Sequence, residues 1–332
     1  MSVVPFAAPA WLKSGHQQTL YAALGHRPAP LAPDRRIKIQ VDAENSVLCL
    51  FNQAGAQAAQ ICLILLHGLE SHGDAPYIVS TARKALADGF DVLRMNLRAC
   101  GGSGHLARTS YHAGLSQDAW EVARYAADSL GYPHIALAGF SLGGHTLLKL
   151  AGELGTDRPD WLLGVCAVSP PLDLAASSQS LMRPANRIYE RYFYQSMVRS
   201  YRAKRRLWPE LTPNEPLQRA LNLYAFDEHI TAPAFGYRDA ADYYQQNSAL
   251  QFIPRISLPV TIVFALDDPI IPFASHQQAM ALGNPQLHWL LSAEGGHVGF
   301  RNDGQLAASD RDAHWAENRL LETVASWQRQ AA

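Results

Sequence analysis

The sequence predicts an α/β protein in which a mostly parallel central sheet is flanked by helices. Two patterns predict this architecture. Beyond residue 60, short apolar runs alternate with longer helical patterns, which is typical of right-handed β-α-β units. The run at 61–66 is apolar at every position, as expected for a strand covered on both faces. The chain has 332 residues, of which 48% are hydrophobic and 17% charged, so it can bury a sizeable core.

The chain divides into an arm, a core and a cap. Residues 1–34 contain several prolines and predict an irregular N-terminal arm. The α/β core is assigned to 35–171 and 256–332. Between these two parts, at 172–255, the strand–helix alternation stops. That segment predicts a helical cap inserted before the strand that carries the candidate acid.

The core elements follow one another in a regular order. The first two strands, at 36–41 and 46–51, are separated by a polar turn that predicts a hairpin. Apolar runs predict the remaining strands, at 61–66, 91–95, 134–138, 162–168, 260–265 and 287–291. Helical patterns at 75–88, at 114–130 and from residue 141 onward lie between these strands.

Composition and charge exclude several classes of function. The 28 Lys and Arg nearly balance the 29 Asp and Glu, so no general attraction to nucleic acid is expected. No apolar run approaches the ~18 residues of a membrane span, and no basic residue precedes the apolar N-terminus as in a signal peptide. Cys49, Cys62, Cys100 and Cys166 lack a zinc-type spacing, which is typical of reduced core thiols. A soluble cytoplasmic protein is therefore expected.

One stretch of the predicted cap is strongly basic. Residues 181–208 carry eight Arg or Lys and one Glu, with aromatics interleaved. Two interpretations compete, an amphipathic helix with solvated arginines or a positive face for an anionic lipid headgroup. The first is favoured because long cationic side chains commonly solvate a helix. At most a transient contact with a membrane surface is expected.

The motif GFSLGG at residues 139–144 contains the candidate nucleophile. It follows a predicted strand directly, and its G-x-S-x-G pattern predicts a sharp strand-to-helix turn that exposes Ser141. Gly139 and Gly143 must be small so that strand and helix can come close together. A helix is predicted to begin directly after Ser141, and the aligned backbone dipoles at its N-terminus favour negative charge that develops there.

A nucleophilic serine needs a base, and the base needs an orienting carboxylate. His297 follows two glycines after the last predicted strand and is the candidate base. Asp267 and Asp268 follow the strand at 260–265, at the edge where active sites of open α/β sheets gather. Neighbouring side chains on an extended segment point in opposite directions, so only one faces His297. Asp268 is preferred because such a turn usually begins at the acid, and Asp267 is then a loop cap or a surface charge.

The oxyanion of an acyl-transfer reaction requires two backbone N–H donors. The N–H of Leu142, directly after the candidate nucleophile, is expected to be one donor. The N–H of Leu69, in the loop after the first core strand, is expected to be the other. His67 in that loop is interpreted as a packing residue. The spacings among His67, His72 and His145 do not support a metal site. The glycine-rich segment 96–104 lacks the P-loop lysine and predicts a structural turn, so neither a metal nor a cofactor is expected.

Together these motifs resemble the α/β hydrolases, and more narrowly the YheT-like branch. The resemblance also includes the tryptophan-containing stretch 11–20, the His-Gly-Leu-Glu loop at 67–70, the cap stretch 226–244 and the segment 295–300. The chain departs from the family pattern at Ser71, where a glycine is usual. The candidate residues run in the order serine, aspartate, histidine, as in this family.

The resemblance implies a serine hydrolase acting on small-molecule carboxylic esters, with Ser141 as nucleophile, Asp268 as acid and His297 as base. Some relatives are linked to lipid esters, and the aromatic cap favours an apolar acyl group. Two alternatives stay open: an acyltransferase that uses the same triad, and a non-catalytic member that binds ligands in the pocket. The oligomeric state is not predicted.

Overall fold

A computed structural model describes residues 5–25, 27–55, 59–211, 215–304 and 306–331. Eight strands form its centre: β1 (Arg35–Gln40), β2 (Ser46–Asn52), β3 (Ile61–Leu66), β4 (Asp91–Met95), β5 (His134–Phe140), β6 (Leu162–Val168), β7 (Val260–Ala265) and β8 (Leu287–Ser292). They pair in the order β1-β2-β4-β3-β5-β6-β7-β8. Strand β2 is antiparallel to β1 and β4, and the other neighbouring pairs are parallel. The predicted hairpin and the mostly parallel sheet are confirmed.

The α-helices lie between and beside these strands. They are α1 (Gly15–Leu24), α2 (Pro76–Ala87), α3 (Ser116–Asp128), α4 (Leu142–Leu154), α5 (Leu174–Leu181), α6 (Arg187–Leu207), α7 (Glu215–Arg219), α8 (Leu223–Phe226), α9 (Ala232–Ala234), α10 (Ala240–Asn247), α11 (Phe273–Ala281) and α12 (Trp315–Ala331). Short 3-10 segments occur at Gly104–Leu106, Gly155–Asp157, Pro184–Asn186 and Ala249–Arg255, and a π-helical segment at Asp227–Thr231.

Two apolar layers cover the sheet. Alternate residues of β3 point to opposite faces, as the period of two in a strand requires. Ile61, Leu63 and Leu65 pack in one layer with α2 and α12, whereas Ile64 and Leu66 pack in the other with α3 and α4. Every residue of β3 is buried. The continuous apolar run therefore reflects a strand between two helical layers, as predicted.

The irregular conformation predicted for the whole N-terminal arm is wrong for α1. Ser14 and Gln17 form a capping box, in which the Ser14 side chain accepts from the Gln17 N–H and the Gln17 side chain accepts from the Ser14 N–H. The S-x-x-Q signature is visible in the sequence.

The segment between β6 and β7 is helical, as predicted, and its longest helix is α6. Tyr189 and Tyr201 of α6 are buried, whereas Arg187 and Arg191 are exposed. The basic stretch thus forms an amphipathic helix with exposed arginines, which both interpretations require, and the choice between them stays a prediction. Among the described residues, no helix is both long and apolar enough to cross a bilayer. The assignment of 172–255 to a separate cap stays a prediction.

Candidate active site

Ser141 occupies a sharp turn between β5 and α4. Its backbone has φ +52° and ψ −120°, a conformation that residues with a side chain rarely adopt. A Cβ atom at Gly139 would lie 2.4 Å from the carbonyl carbon of Gly143. A Cβ at Gly143 would lie 2.5 Å from the carbonyl oxygen of Leu66. Both positions therefore require glycine, for the steric reason inferred from the motif.

The three predicted side chains form one hydrogen-bonded chain. His297 Nε2 lies 2.9 Å from Ser141 Oγ, and His297 Nδ1 lies 2.8 Å from Asp268 Oδ2. The Asp268 side chain is fully buried, and that of His297 is 8% exposed. A carboxylate beside Nδ1 keeps the proton on that nitrogen, so Nε2 is free to accept the serine proton. The ends of β5, β7 and β8 bring the three groups together at one edge of the sheet.

The two adjacent aspartates make different contacts. Asp268 Oδ1 accepts the N–H groups of Ile270 and Ile271 at 2.8 and 2.9 Å, which fixes the carboxylate that faces His297. Asp267 Oδ1 accepts the N–H of Gly296 at 2.8 Å, so Asp267 holds the loop that leads to His297. Asp267 Oδ2 is buried with no hydrogen-bond partner among the described residues, and burial raises the pKa of this carboxyl. Of the two proposed roles for Asp267, the structure shows the loop cap.

The loop after β3 lies directly against Ser141. A Cβ at Gly68 would lie 3.2 Å from Ser141 Cβ and 3.7 Å from its Oγ. The N–H groups of Gly68 and Glu70 donate to the hydroxyls of Tyr77 and Tyr111, whereas the Leu69 N–H between them has no acceptor among the described residues.

Leu142 supplies the other predicted amide of the oxyanion site. It is the first residue of α4, so its N–H belongs to the helix terminus that has no acceptor inside the helix. Leu142 thus follows Ser141 in sequence, and Leu69 follows Gly68, the residue of the β3 loop that lies against Ser141.

His67 shapes the loop at 67–71, the predicted oxyanion loop, as the sequence suggested. Its Nδ1 lies 2.8 Å from the Gly68 carbonyl oxygen, and its Nε2 accepts the N–H of Leu97 at 3.1 Å. Burial lowers the pKa of His67 to about 4, so the ring is neutral and has a single tautomer in this arrangement. Among the ranges that the structure describes, no three His, Cys, Asp or Glu side chains form a metal-binding group.

Helix α1 contributes contacts that the sequence did not reveal. Thr19 Oγ1 accepts the backbone N–H of His297 at 2.9 Å and donates to the Gly15 carbonyl at 2.6 Å. The Gln18 side chain accepts the N–H of Arg301 at 2.8 Å and donates back to its carbonyl at 3.1 Å. These bonds fix the loop around the histidine from the far end of the chain. The only sequence signal was the stretch 11–20, which carried no assigned role.

Helix α6 and the residue directly before it contact helix α1 and two loops of the site. Tyr189 OH lies 2.9 Å from His16 Nδ1 of α1. Asn186, directly before α6, donates to the carbonyl of Pro269 in the aspartate loop at 2.6 Å. Ser200 Oγ donates to Glu70 in the oxyanion loop at 2.5 Å. The helix therefore spans the edge of the sheet that carries Ser141.

Comparison with known proteins places the chain among enzymes of related architecture. The profile of the family described as alpha/beta hydrolase fold matches residues 61–302. The putative esterase YheT of Escherichia coli (strain K12) is 29% identical over 315 residues, covering 94% of this chain and 90% of that protein. The phospholipase ABHD3 of Mus musculus is 29% identical over 240 residues, covering 72% of this chain and 58% of that protein.

Solved structures agree with the fold. Est1E from Butyrivibrio proteoclasticus, solved with ferulic acid, has a TM-score of 0.58 and 15% identity, covering 88% of this chain and 99% of that chain. The esterase Pf2001 of Pyrococcus furiosus has a TM-score of 0.56 and 15% identity, and the match covers 89% of this chain and 91% of that chain. At this identity the likeness concerns the fold alone, and it confirms the predicted fold class.

Proposed function

Because the chain belongs to the α/β-hydrolase fold family and is similar to its YheT-like branch, we propose that it is a serine hydrolase that cleaves carboxylic esters. One observation carries the proposal, the hydrogen-bonded chain from Ser141 Oγ through His297 to the buried Asp268 carboxylate. A serine at its ordinary pKa is a weak nucleophile, and this chain supplies the base that it needs. The mechanism requires no metal or cofactor.

The first step forms an acyl-enzyme. His297 Nε2 accepts the proton of Ser141 as Oγ attacks the ester carbonyl, which becomes a tetrahedral oxyanion. The N–H groups of Leu69 and Leu142 donate hydrogen bonds to that oxyanion. Collapse of the intermediate breaks the bond to the alcohol oxygen, and His297 returns its proton to the leaving alcohol.

The second step releases the acid. Water takes the place of the alcohol, and His297 accepts a proton from it as its oxygen attacks the acyl-enzyme carbonyl. The second tetrahedral intermediate collapses, and Ser141 recovers its proton from His297. In both steps Asp268 holds the imidazole in the required tautomer and stabilises its positively charged form.

The substrate is proposed to carry an apolar acyl group. Tyr192 and Phe193, with ring centroids 5.5 Å apart, are respectively exposed and half-buried on helix α6, which spans the edge of the sheet that carries Ser141. Aromatic side chains near the reacting serine favour apolar acyl groups over charged ones. The names of two relatives, a phospholipase and a monoacylglycerol lipase, suggest the same class for this chain.

The proposal is tested with a series of p-nitrophenyl esters from C2 to C16 acyl chains. The wild-type protein should show an optimum chain length, and Ser141→Ala should lower kcat by about 10⁴-fold or more without changing the melting temperature. Ser129→Ala, an exposed serine at the end of α3, serves as the matched control and should keep full activity. A fluorophosphonate probe should label the wild-type protein at Ser141 and leave the Ser141→Ala variant unlabelled.

Three outcomes would contradict the proposal or change it. Undiminished activity in Ser141→Ala would exclude this serine as the nucleophile. A wild-type protein that neither reacts with the probe nor cleaves any ester would favour the non-catalytic alternative. An acyl group transferred to an added alcohol in preference to water would identify an acyltransferase.

A further inference from the structure

Glu70, next to the candidate oxyanion donor Leu69, has an unusual backbone conformation. The four residues 68–71 form a turn closed by the Ser71 N–H, which donates to the Gly68 carbonyl at 3.3 Å. Glu70 is the third residue of this turn and has φ +52°. Turns with positive φ at that position strongly favour glycine, because a side chain there is strained. A glutamate at this place therefore needs contacts that hold it.

The Glu70 side chain and backbone have such contacts. The Tyr111 hydroxyl accepts the Glu70 N–H at 2.8 Å and donates to Glu70 Oε1 at 2.8 Å. The other carboxylate oxygen accepts from Ser200 Oγ of α6 at 2.5 Å. Burial raises the pKa of the Glu70 carboxyl, and the bonds from Ser200 and Tyr111 and the nearby Arg199 oppose that rise. Two hydroxyl groups from distant parts of the chain thus clamp one residue of the turn.

The clamp acts on the peptide groups around Leu69. On one side, the Gly68 N–H donates to the Tyr77 hydroxyl at 3.0 Å, and that hydroxyl donates to Ser71 Oγ at 3.0 Å. On the other side, the Glu70 N–H donates to Tyr111. Both neighbours of the Leu69 amide are therefore fixed, and the Leu69 N–H itself stays available to a ligand. Preorganised donors are effective because they need no reorganisation when charge develops.

We infer that Glu70 is a positioning residue, which holds the Leu69 N–H in place for the oxyanion and links that donor to helix α6 through Ser200. The inference rests on the proposed serine hydrolase function. Ser71, the departure from the family pattern, contributes to the same arrangement by accepting the hydrogen bond from Tyr77. Movement of α6 away from the core would break the bond between Ser200 and Glu70 and loosen the oxyanion site.

The test compares Glu70→Ala, Glu70→Gln, Tyr111→Phe and Ser200→Ala with the wild-type protein. The number of active sites is counted from the endpoint of fluorophosphonate labelling, and kcat is expressed per labelled Ser141. Glu70→Ala and Tyr111→Phe should lower this kcat by about 10- to 100-fold, less than the loss expected when one oxyanion donor is removed completely. KM should change by less than about threefold. A trifluoromethyl ketone, which forms a tetrahedral adduct with the serine, should lose affinity in the same proportion.

Two further variants separate positioning from folding. Glu70→Gln keeps an oxygen for Tyr111 and places its NH₂ opposite Ser200, whose hydroxyl can rotate to accept, so it should recover kcat to within about fivefold of wild type. Ser200→Ala should lower kcat by about three- to tenfold without loss of folding, because Ser200 is exposed and loses one hydrogen bond. Gln195→Ala, an exposed residue of the same helix, is the matched control and should leave kcat unchanged.

The outcomes distinguish this inference from the proposed function. In one outcome the wild-type protein labels at Ser141 and cleaves esters, while Glu70→Ala, Tyr111→Phe and Ser200→Ala keep wild-type kcat per labelled site and wild-type ketone affinity. That result would refute the positioning role of Glu70 and leave the proposed function intact. A purely structural role would lower the melting temperature and the fraction of labelled protein while kcat per site stays constant. A wild-type protein without labelling or ester cleavage would overturn the proposed function and this inference with it.

Discussion

The substitution Asp268→Asn tests how the carboxylate controls the imidazole. The N–H groups of Ile270 and Ile271 both donate to Asp268 Oδ1, at 2.8 and 2.9 Å. In the variant these two donors require an acceptor at the same place, so the asparagine oxygen must occupy it. The NH₂ group is then directed at His297 Nδ1, where Asp268 Oδ2 lies at 2.8 Å. A donor there forces the histidine proton onto Nε2.

A histidine with its proton on Nε2 cannot accept the proton of Ser141. The expected loss in kcat is about 10⁴-fold, equivalent to about 5 kcal/mol of transition-state stabilisation. The melting temperature should stay close to that of the wild type, because the two loop hydrogen bonds are kept. The assay is steady-state hydrolysis of the best p-nitrophenyl ester, with circular dichroism and thermal unfolding of the same samples.

Asp267→Asn is the matched control for this experiment. Its oxygen can still accept the N–H of Gly296, and its NH₂ replaces a buried oxygen that has no partner among the described residues. We expect kcat within about threefold of wild type and an unfolding free energy unchanged or raised by about 1 kcal/mol. If Asp267→Asn lost as much activity as Asp268→Asn, or if Asp268→Asn stayed within about tenfold of wild type, the proposed control of the tautomer would be wrong.

Two further substitutions test contacts outside the triad. Thr19→Val keeps the side-chain shape but removes the acceptor for the buried His297 N–H. The variant should lose about 1–3 kcal/mol of unfolding free energy, measured by urea unfolding, and should have a lower kcat. Unchanged stability and activity would contradict a supporting role for α1. Asp227 has its pKa raised to about 6 by burial, opposed by the hydrogen bonds from Tyr244 and Thr231. Below the unfolded-state pKa of 3.8 both states are protonated. Between pH 3.8 and about 6 the unfolded chain ionises while the buried carboxyl stays protonated, so stability falls as the pH rises and the loss is complete once the pH has passed the folded-state pKa. Asp227→Asn has no carboxyl to ionise, so it does not show this loss. The unfolding free energy of the variant minus that of the wild type should therefore rise by about 2 kcal/mol from about pH 4 to pH 7. A difference that does not change with pH would refute this prediction.

The fold and the strained turn at Ser141 were predictable because their constraints act between residues close in sequence. Gly139 and Gly143 flank Ser141, and the structure shows that both are needed where α4 approaches β5 and β3. The continuous apolar run of β3 follows from the two layers that cover both faces of the sheet. Such patterns are visible in any sequence that folds this way, whatever the rest of the chain does.

Other features of the site depend on contacts across the whole chain. Glu70 is separated from Ser200 by 130 positions, and nothing in the local sequence indicates that helix α6 reaches the predicted oxyanion loop. The distinction between Asp267 and Asp268 likewise depends on which way each side chain turns relative to the loop at His297. Local propensity cannot decide these directions, since it describes single elements and not how they pack.

By itself, the sequence determined the α/β alternation, the strained serine turn and the order of the three candidate groups, since steric fit and hydrophobic period are local properties. Only the tertiary structure decided that the first helix supports the histidine, 278 positions away, and that α6 touches the oxyanion loop. The physical reason is that a hydrogen bond between distant segments exists only when the packed sheet brings its donor and acceptor within about 3 Å.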